Sequence, residues 1–232
     1  MQSVFFRSGF IIARSTVSGY AAMNYFEETQ LDDIADALAA QGYILIEKSL
    51  PEKLLHSLLI HFNQLRDDEF KAAGVGRQTD FQLQETIRSD KIHWIANNTE
   101  TTAEFLQWMD VLRIGINRRL FLGLFDYESH FAFYAPGAFY KKHVDAFRAS
   151  RKQGQSNRVI STVLYLNEDW QKHNGGELVI YAEDGEEVLE KVAPEFGRLV
   201  IFLSEKFPHE VLPATRARKS IAGWYRVNEG AF

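Results

Sequence analysis

His143-Val144-Asp145, followed much later by His209, offers a metal ion two imidazoles and one carboxylate. A histidine and an aspartate two positions apart on a strand project to the same face. A second histidine from a later strand then completes a set of ligands on one side of the ion. The opposite coordination positions stay open. Imidazole and carboxylate without thiolate suit non-haem Fe(II), and this facial arrangement is the one used to activate oxygen. The chemistry indicated is oxidation.

The remaining histidines fit such a centre less well. His56 and His61 are five residues apart, off the spacing that places two side chains on one helix face. His93, His130 and His173 have no acidic partner at a ligand-like spacing, so none of them is expected to bind metal.

An oxygenase of this kind needs a cosubstrate that supplies two electrons, and 2-oxoglutarate does so while leaving a remote carboxylate to be held. Arginine suits that task because its planar fork binds a carboxylate through two hydrogen bonds. Arg218, Ser220, Ala222 and Trp224 share one strand face, which sets the arginine beside two small side chains. Arg216 has the same parity but sits in the turn after Pro213. Tyr165 could add a phenolic hydrogen bond, although its spacing fits a half-buried sheet aromatic equally well.

Composition narrows the alternatives. The 232 residues carry no cysteine, which excludes disulfides, thiolate zinc sites and cysteine nucleophiles together. A formal net charge of -5 and a pI near 5.8 argue against a nucleic-acid or anionic-membrane binder. No apolar run is long enough for a membrane span. Residues 1–24 read as a poorly ordered leader, because Arg7, Arg14 and several serines interrupt what would be an export signal. Met23 could serve as the working initiator instead. Residues 25–232 are expected to form a single cytoplasmic, monomeric domain.

Within it, Leu31, Ile34, Ala35 and Leu38 recur at helical spacing, and Gly42 marks a stop. A strand over 43–47, a helix beginning at Pro51 and a third helix over 102–121 follow. Residues 66–100 read as a long excursion at the rim of the later sheet. From about Tyr127 the period becomes twofold. Strands are expected over 128–135, 138–144, 158–166, 176–181, 187–192, 198–203, 208–212 and 219–227. Such a series fits a mainly β fold, a double-stranded β-helix or cupin-like jelly roll, backed by N-terminal helices. The helical support would span 25–125 and the jelly-roll core 126–228.

Several stretches match a known family: IRSDKIHWI at 87–95, YAPGAFYKKHVD at 134–145, RVISTVLYLNEDW at 158–170, GGELVIY at 175–181 and PEFGRLVIFLSEKFPHEVLPATRARKSIAGWY at 194–225. From Ile87 to Tyr225 the chain resembles the 2-oxoglutarate-dependent prolyl hydroxylases of the type that modify hypoxia-inducible factor. Their bacterial relatives include one whose substrate is elongation factor Tu. The resemblance implies Fe(II), 2-oxoglutarate and O2, with ascorbate as reductant, and a protein partner bearing a target proline. It matches His143, Asp145 and His209 to the iron ligands, and Arg218 and Tyr165 to the groups holding the far carboxylate of 2-oxoglutarate. Tyr134 matches a pocket tyrosine near the metal, and Trp224 an aromatic on the substrate side. Asp90 and Arg158 match a charged pair through which a mobile finger, about residues 76–95, closes on the barrel.

The insert from Ala146 to Asn157 departs from the animal enzymes in being longer and carrying Arg148, Arg151 and Lys152. Two other functions fit the same residues: a related oxygenase acting on a free small molecule, and a cupin-like metal-binding sensor without turnover. Arg218 and Tyr165 weigh against the sensor, since a simple metal site needs neither.

Overall fold

The computed structural model describes residues 26–73, 86–146 and 157–228. The leader, half of the expected finger (76–85) and the basic insert residues Arg148, Arg151 and Lys152 lie outside them. Helix α1 (Glu28–Ala40) buries Leu31, Ile34, Ala35 and Leu38, and it ends where Gly42 takes a positive φ of 90°. That conformation is cheap only for glycine. Strand β1 (Tyr43–Ile46) and helix α2 (Glu52–Gln64) follow, the helix burying Leu54, Leu55, Leu58 and Phe62. Helix α3 (Glu100–Leu120) is capped by Thr99, whose side chain accepts from the Thr102 backbone N–H.

Between α2 and α3 lie two short strands, β2 (Lys71–Ala72) and β3 (Lys91–Trp94). Eight more follow α3: β4 (Leu124–Tyr134), β5 (Tyr140–His143), β6 (Arg158–Tyr165), β7 (Leu178–Tyr181), β8 (Val188–Val192), β9 (Leu199–Leu203), β10 (His209–Val211) and β11 (Arg218–Val227). They form two antiparallel sheets, β1-β9-β6-β11-β4-β3-β2 and β5-β10-β7-β8. The last eight strands divide evenly between the sheets, which is the jelly-roll arrangement. β1 and the β2–β3 hairpin extend the large sheet at its two edges. Residues 91–94, expected to belong to the finger, are thus a sheet strand paired with β4.

The large sheet separates two apolar clusters. On its outer face Phe131, Ile160, Leu164, Ile201, Ile221 and Tyr225 pack against the three helices. Tyr225 ties sheet to helix by donating its hydroxyl to the Met109 carbonyl at 2.7 Å. On its inner face Ala132, Tyr134, Tyr165, Val200 and Phe202 meet Leu178, Ile180 and Val211 of the small sheet. No helix among the described residues is long and apolar enough to cross a membrane.

Gly223, in the middle of β11, permits one close approach on the helix-facing side. A Cβ there would lie 2.2 Å from the Tyr127 hydroxyl oxygen, which bonds to Thr162 Oγ1 at 2.8 Å. Gly223→Ala is therefore expected to displace Tyr127 and cost about 1–3 kcal/mol. A denaturant midpoint equal to wild type would show that the strand absorbs the methyl group.

Candidate metal and cosubstrate site

Strands β5 and β10 are neighbours in the small sheet, and their register sets His143 directly opposite His209. The two imidazole centroids are 4.3 Å apart. Asp145 is not on the strand, contrary to the pleat argument: β5 ends at His143 and Asp145 occupies the bend beyond it. What aims the carboxylate is a hydrogen bond of 2.6 Å from Ser161 Oγ, on β6 of the large sheet. Ser161 is itself 2.9 Å from Ser204 Oγ. One ligand-capable atom from each of His143, Asp145 and His209 lies within 4.8 Å of the others.

The protonation pattern suits a cation. His143 Nδ1 is 2.8 Å from the Lys141 carbonyl and His209 Nδ1 is 3.0 Å from that of Phe207. Carbonyl oxygens only accept, so each Nδ1 carries the proton and each Nε2 keeps its lone pair. Both Nε2 atoms face Asp145, at 3.7 Å from its oxygens. Burial would raise the Asp145 carboxyl, but His209 and His143 outweigh it and hold the group far below the usual carboxylate range. Burial, reinforced by His143, pushes His209 down to about 4. Neutral imidazole and ionised carboxylate are the forms that metal ligation requires.

Tyr140 supports His143 from behind, its ring stacked at 3.5 Å and 14°. The Arg88 guanidinium lies 4.2 Å from the centre of the Tyr140 ring. Ser161 had no ligand-like spacing to reveal it. The available signal was a small polar residue within the apolar run of β6.

Deeper between the sheets, Arg218 is 1% exposed, and it faces no carboxylate among the described residues. Its Nε donates to the Gly176 carbonyl at 3.0 Å and its Nη1 to Ser220 Oγ at 3.2 Å. Among the described residues Nη2 has no acceptor and the buried hydroxyl of Tyr165 faces only Arg218. Tyr165 and Tyr134 flank the guanidinium, with ring centres 5.0 and 4.9 Å from Cζ. A buried unpaired charge is expensive. An anion is the missing partner, and a carboxylate fits a guanidinium fork beside a phenol.

Asp90 and Arg158 do not form the expected pair. Asp90, only 2% exposed, accepts two hydrogen bonds from Arg88, at 2.8 and 2.7 Å. Arg88 is two residues away and reaches it with a bidentate fork, so the nearer cation takes the acid. Arg158 instead bonds to Glu128 at 2.8 Å. Its guanidinium lies 3.6 Å from the centre of the Trp224 ring, which keeps it on the aromatic wall of the site.

Residues 129–226 match the model of the 2OG-Fe(II) oxygenase superfamily. A prolyl-4-hydroxylase from Pseudomonas putida of known crystal structure is 44% identical, with a TM-score of 0.74 over 84% of this chain and 98% of that one. A prolyl hydroxylase from Trichoplax adhaerens, solved with a peptide of the hypoxia inducible factor oxygen degradation domain, is 26% identical. Its TM-score is 0.73 over 86% of this chain and 90% of that one. Human Egl nine homolog 1 is 31% identical over 179 residues, which cover 70% of this chain but 40% of the human protein. The chain thus spans less than half the length of that relative. It belongs to the 2OG-Fe(II) oxygenase superfamily. Enzymes of this family use Fe(II), 2-oxoglutarate and O2.

Proposed function

We propose that the chain is a single-domain prolyl 4-hydroxylase that modifies a polypeptide, with cytoplasmic elongation factor Tu as its substrate. The observation that carries the catalytic part is the pairing of His143, Asp145 and His209 with a buried arginine that meets no acid among the described residues. A metal-binding sensor has no use for that arginine. Likeness to the Pseudomonas prolyl-4-hydroxylase over nearly all of its length supports the choice of reaction. Aromatic side chains at the metal end of the pocket, Tyr140 and Trp224 among them, suit a prolyl ring.

In this proposal His143, Asp145 and His209 would hold Fe(II), and Arg218 and Tyr165 would bind the far carboxylate of 2-oxoglutarate. Bound there, Fe(II) and 2-oxoglutarate would supply the oxidising chemistry that puts one oxygen atom of O2 into a substrate C–H bond, with succinate and carbon dioxide as the other products and ascorbate as reductant. The protein fixes orientation and limits water. Ser161 keeps Asp145 turned toward the two histidines. The backbone carbonyls of Lys141 and Phe207 hold both imidazoles in the ligating tautomer. Tyr134 walls the pocket beside Arg218, and its phenol stays protonated because burial raises it far above the usual range. Trp224, stacked under Arg158, lines the polypeptide side. Asp90 fixes Arg88 against Tyr140, which makes it a support of the site and not a partner of Arg158.

Mass spectrometry of elongation factor Tu from cells with and without this protein tests the substrate. One proline is expected to gain the mass of a single oxygen atom only when the protein is present. Unmodified factor in both samples would remove elongation factor Tu and move the proposal to other polypeptides.

A further inference from the structure

Beyond Arg218 the inner face of the large sheet is laid out in cross-strand rows. Arg218 pairs with Tyr134, Ser220 with Ala132 and Tyr165, Ala222 with His130 and Val163, and Trp224 with Ser161. His130 and Trp224 therefore stand at the end of the face away from Arg218, where Ser161 anchors Asp145. Their ring centroids are 5.4 Å apart. Trp94 is the Cα partner of His130 on β3, packs its ring edge-on at 5.2 Å and is 51% exposed.

His130 Nδ1 and Trp224 Nε1 are buried and have no hydrogen-bond partner among the described residues. The residues are 3% and 8% exposed. Two unmet polar atoms side by side in a protein interior are costly. The far-carboxylate anchor does not account for them. His130 lies four residues along β4 from Tyr134, about 13 Å at strand rise, which is farther than a five-carbon diacid reaches. Arg158 cannot satisfy them either, because a guanidinium has no acceptor.

The chemistry of the pair selects its ligand. Indole Nε1 only donates, and a neutral imidazole donates through Nδ1 when Nε2 is unprotonated. Burial, with Arg88 and Arg158 nearby, lowers His130 to about 4, so the ring is neutral at neutral pH. Two neutral donors on neighbouring rings match one uncharged oxygen with two lone pairs. The aromatic walls match an apolar ring next to that oxygen, and Glu128 already neutralises Arg158, so an anion has no claim on the position.

We propose that Trp224 Nε1 and His130 Nδ1 together hold a backbone carbonyl oxygen of the polypeptide beside the target proline, making His130 a positioning residue for substrate. This rests on the prolyl hydroxylase assignment above.

The test uses the isotope-labelled full chain with Zn(II) in place of Fe(II), with 2-oxoglutarate, titrated with N-acetyl-L-prolyl-N-methylamide. The indole N–H resonance of Trp224, identified by its loss in Trp224→Phe, is expected to shift with saturation. His130→Leu should weaken binding about fivefold and His130→Asn should restore it, the value expected for one neutral hydrogen bond. In the iron enzyme the same variants should raise the acceptor concentration for half-maximal turnover without changing that for 2-oxoglutarate. An indole resonance that stays fixed at saturating probe, or equal binding by wild type and His130→Leu, overturns the proposal. Failure of the iron-loaded wild type to form succinate instead overturns the enzyme assignment, and the titration still decides the subsite.

Discussion

Asp145→Ala is expected to lower substrate-coupled succinate formation by about a thousandfold or more, a loss of roughly 4 kcal/mol in transition-state stabilisation. The size follows from what the carboxylate does at once. It is the anionic member of the ligand set, it faces both Nε2 atoms at 3.7 Å, and it receives the Ser161 hydroxyl. Its removal leaves two neutral imidazoles, whose hold on a divalent ion lacks charge compensation, and a serine with only Ser204 as its side-chain partner. His143→Ala should do similar damage by another route, since it removes a ligand while leaving the Asp145–Ser161 bond in place. Succinate and hydroxyproline assays measure the loss, and metal content after dialysis separates failed binding from failed turnover. Full activity in an iron-stripped variant lacking both His143 and Asp145 would falsify the metal assignment.

Arg218→Leu is expected to act in two opposite directions. With 2-oxoglutarate, the concentration needed for half-maximal activity should rise about a hundredfold, because a charge-assisted bidentate contact contributes roughly 3 kcal/mol. Without it, the variant should be as stable as wild type or more so. A leucine removes a buried charge that no carboxylate among the described residues balances, and such replacements are neutral or stabilising by about 1–4 kcal/mol. Thermal melts with and without 2-oxoglutarate read both effects together. Wild type should gain stability with ligand by mass action, and the variant should gain little. An unchanged cosubstrate requirement would contradict the role given to Arg218. A large loss of stability in the free variant would instead show that Gly176 and Ser220 are sufficient partners for the guanidinium.

Much of this was legible in the sequence because it is local. The twofold pattern after Tyr127 located the eight jelly-roll strands, and the helical spacing of Leu31, Ile34 and Leu38 located the first helix. His143, Asp145 and His209 were legible as a donor set because few residue types can make one. The mechanism that aims Asp145 was not, since it depends on a serine on another sheet and not on strand pleat. Asp90 shows a similar limit. Likeness to a family suggested a distant cation, whereas packing gave the acid to a neighbour two residues away. The pairing of β1 with β9 and of β3 with β4 was also hidden, because apolar runs mark a strand without naming the strand beside it. His130 looked unremarkable for the same reason. Its place next to Trp224 comes from the alignment of β4 with β11 and not from any spacing along the chain.

His143 and His209 are direct partners across one antiparallel ladder, so the centre they build inherits its alignment from backbone pairing. A molecule folded one residue out of step would turn Glu210 or Pro208 to the place of His209 and could not assemble the donor set. For a catalyst that handles molecular oxygen this is a safeguard. Mispaired copies stay oxidatively silent, and the hazardous chemistry is enabled only in chains whose sheet has closed correctly.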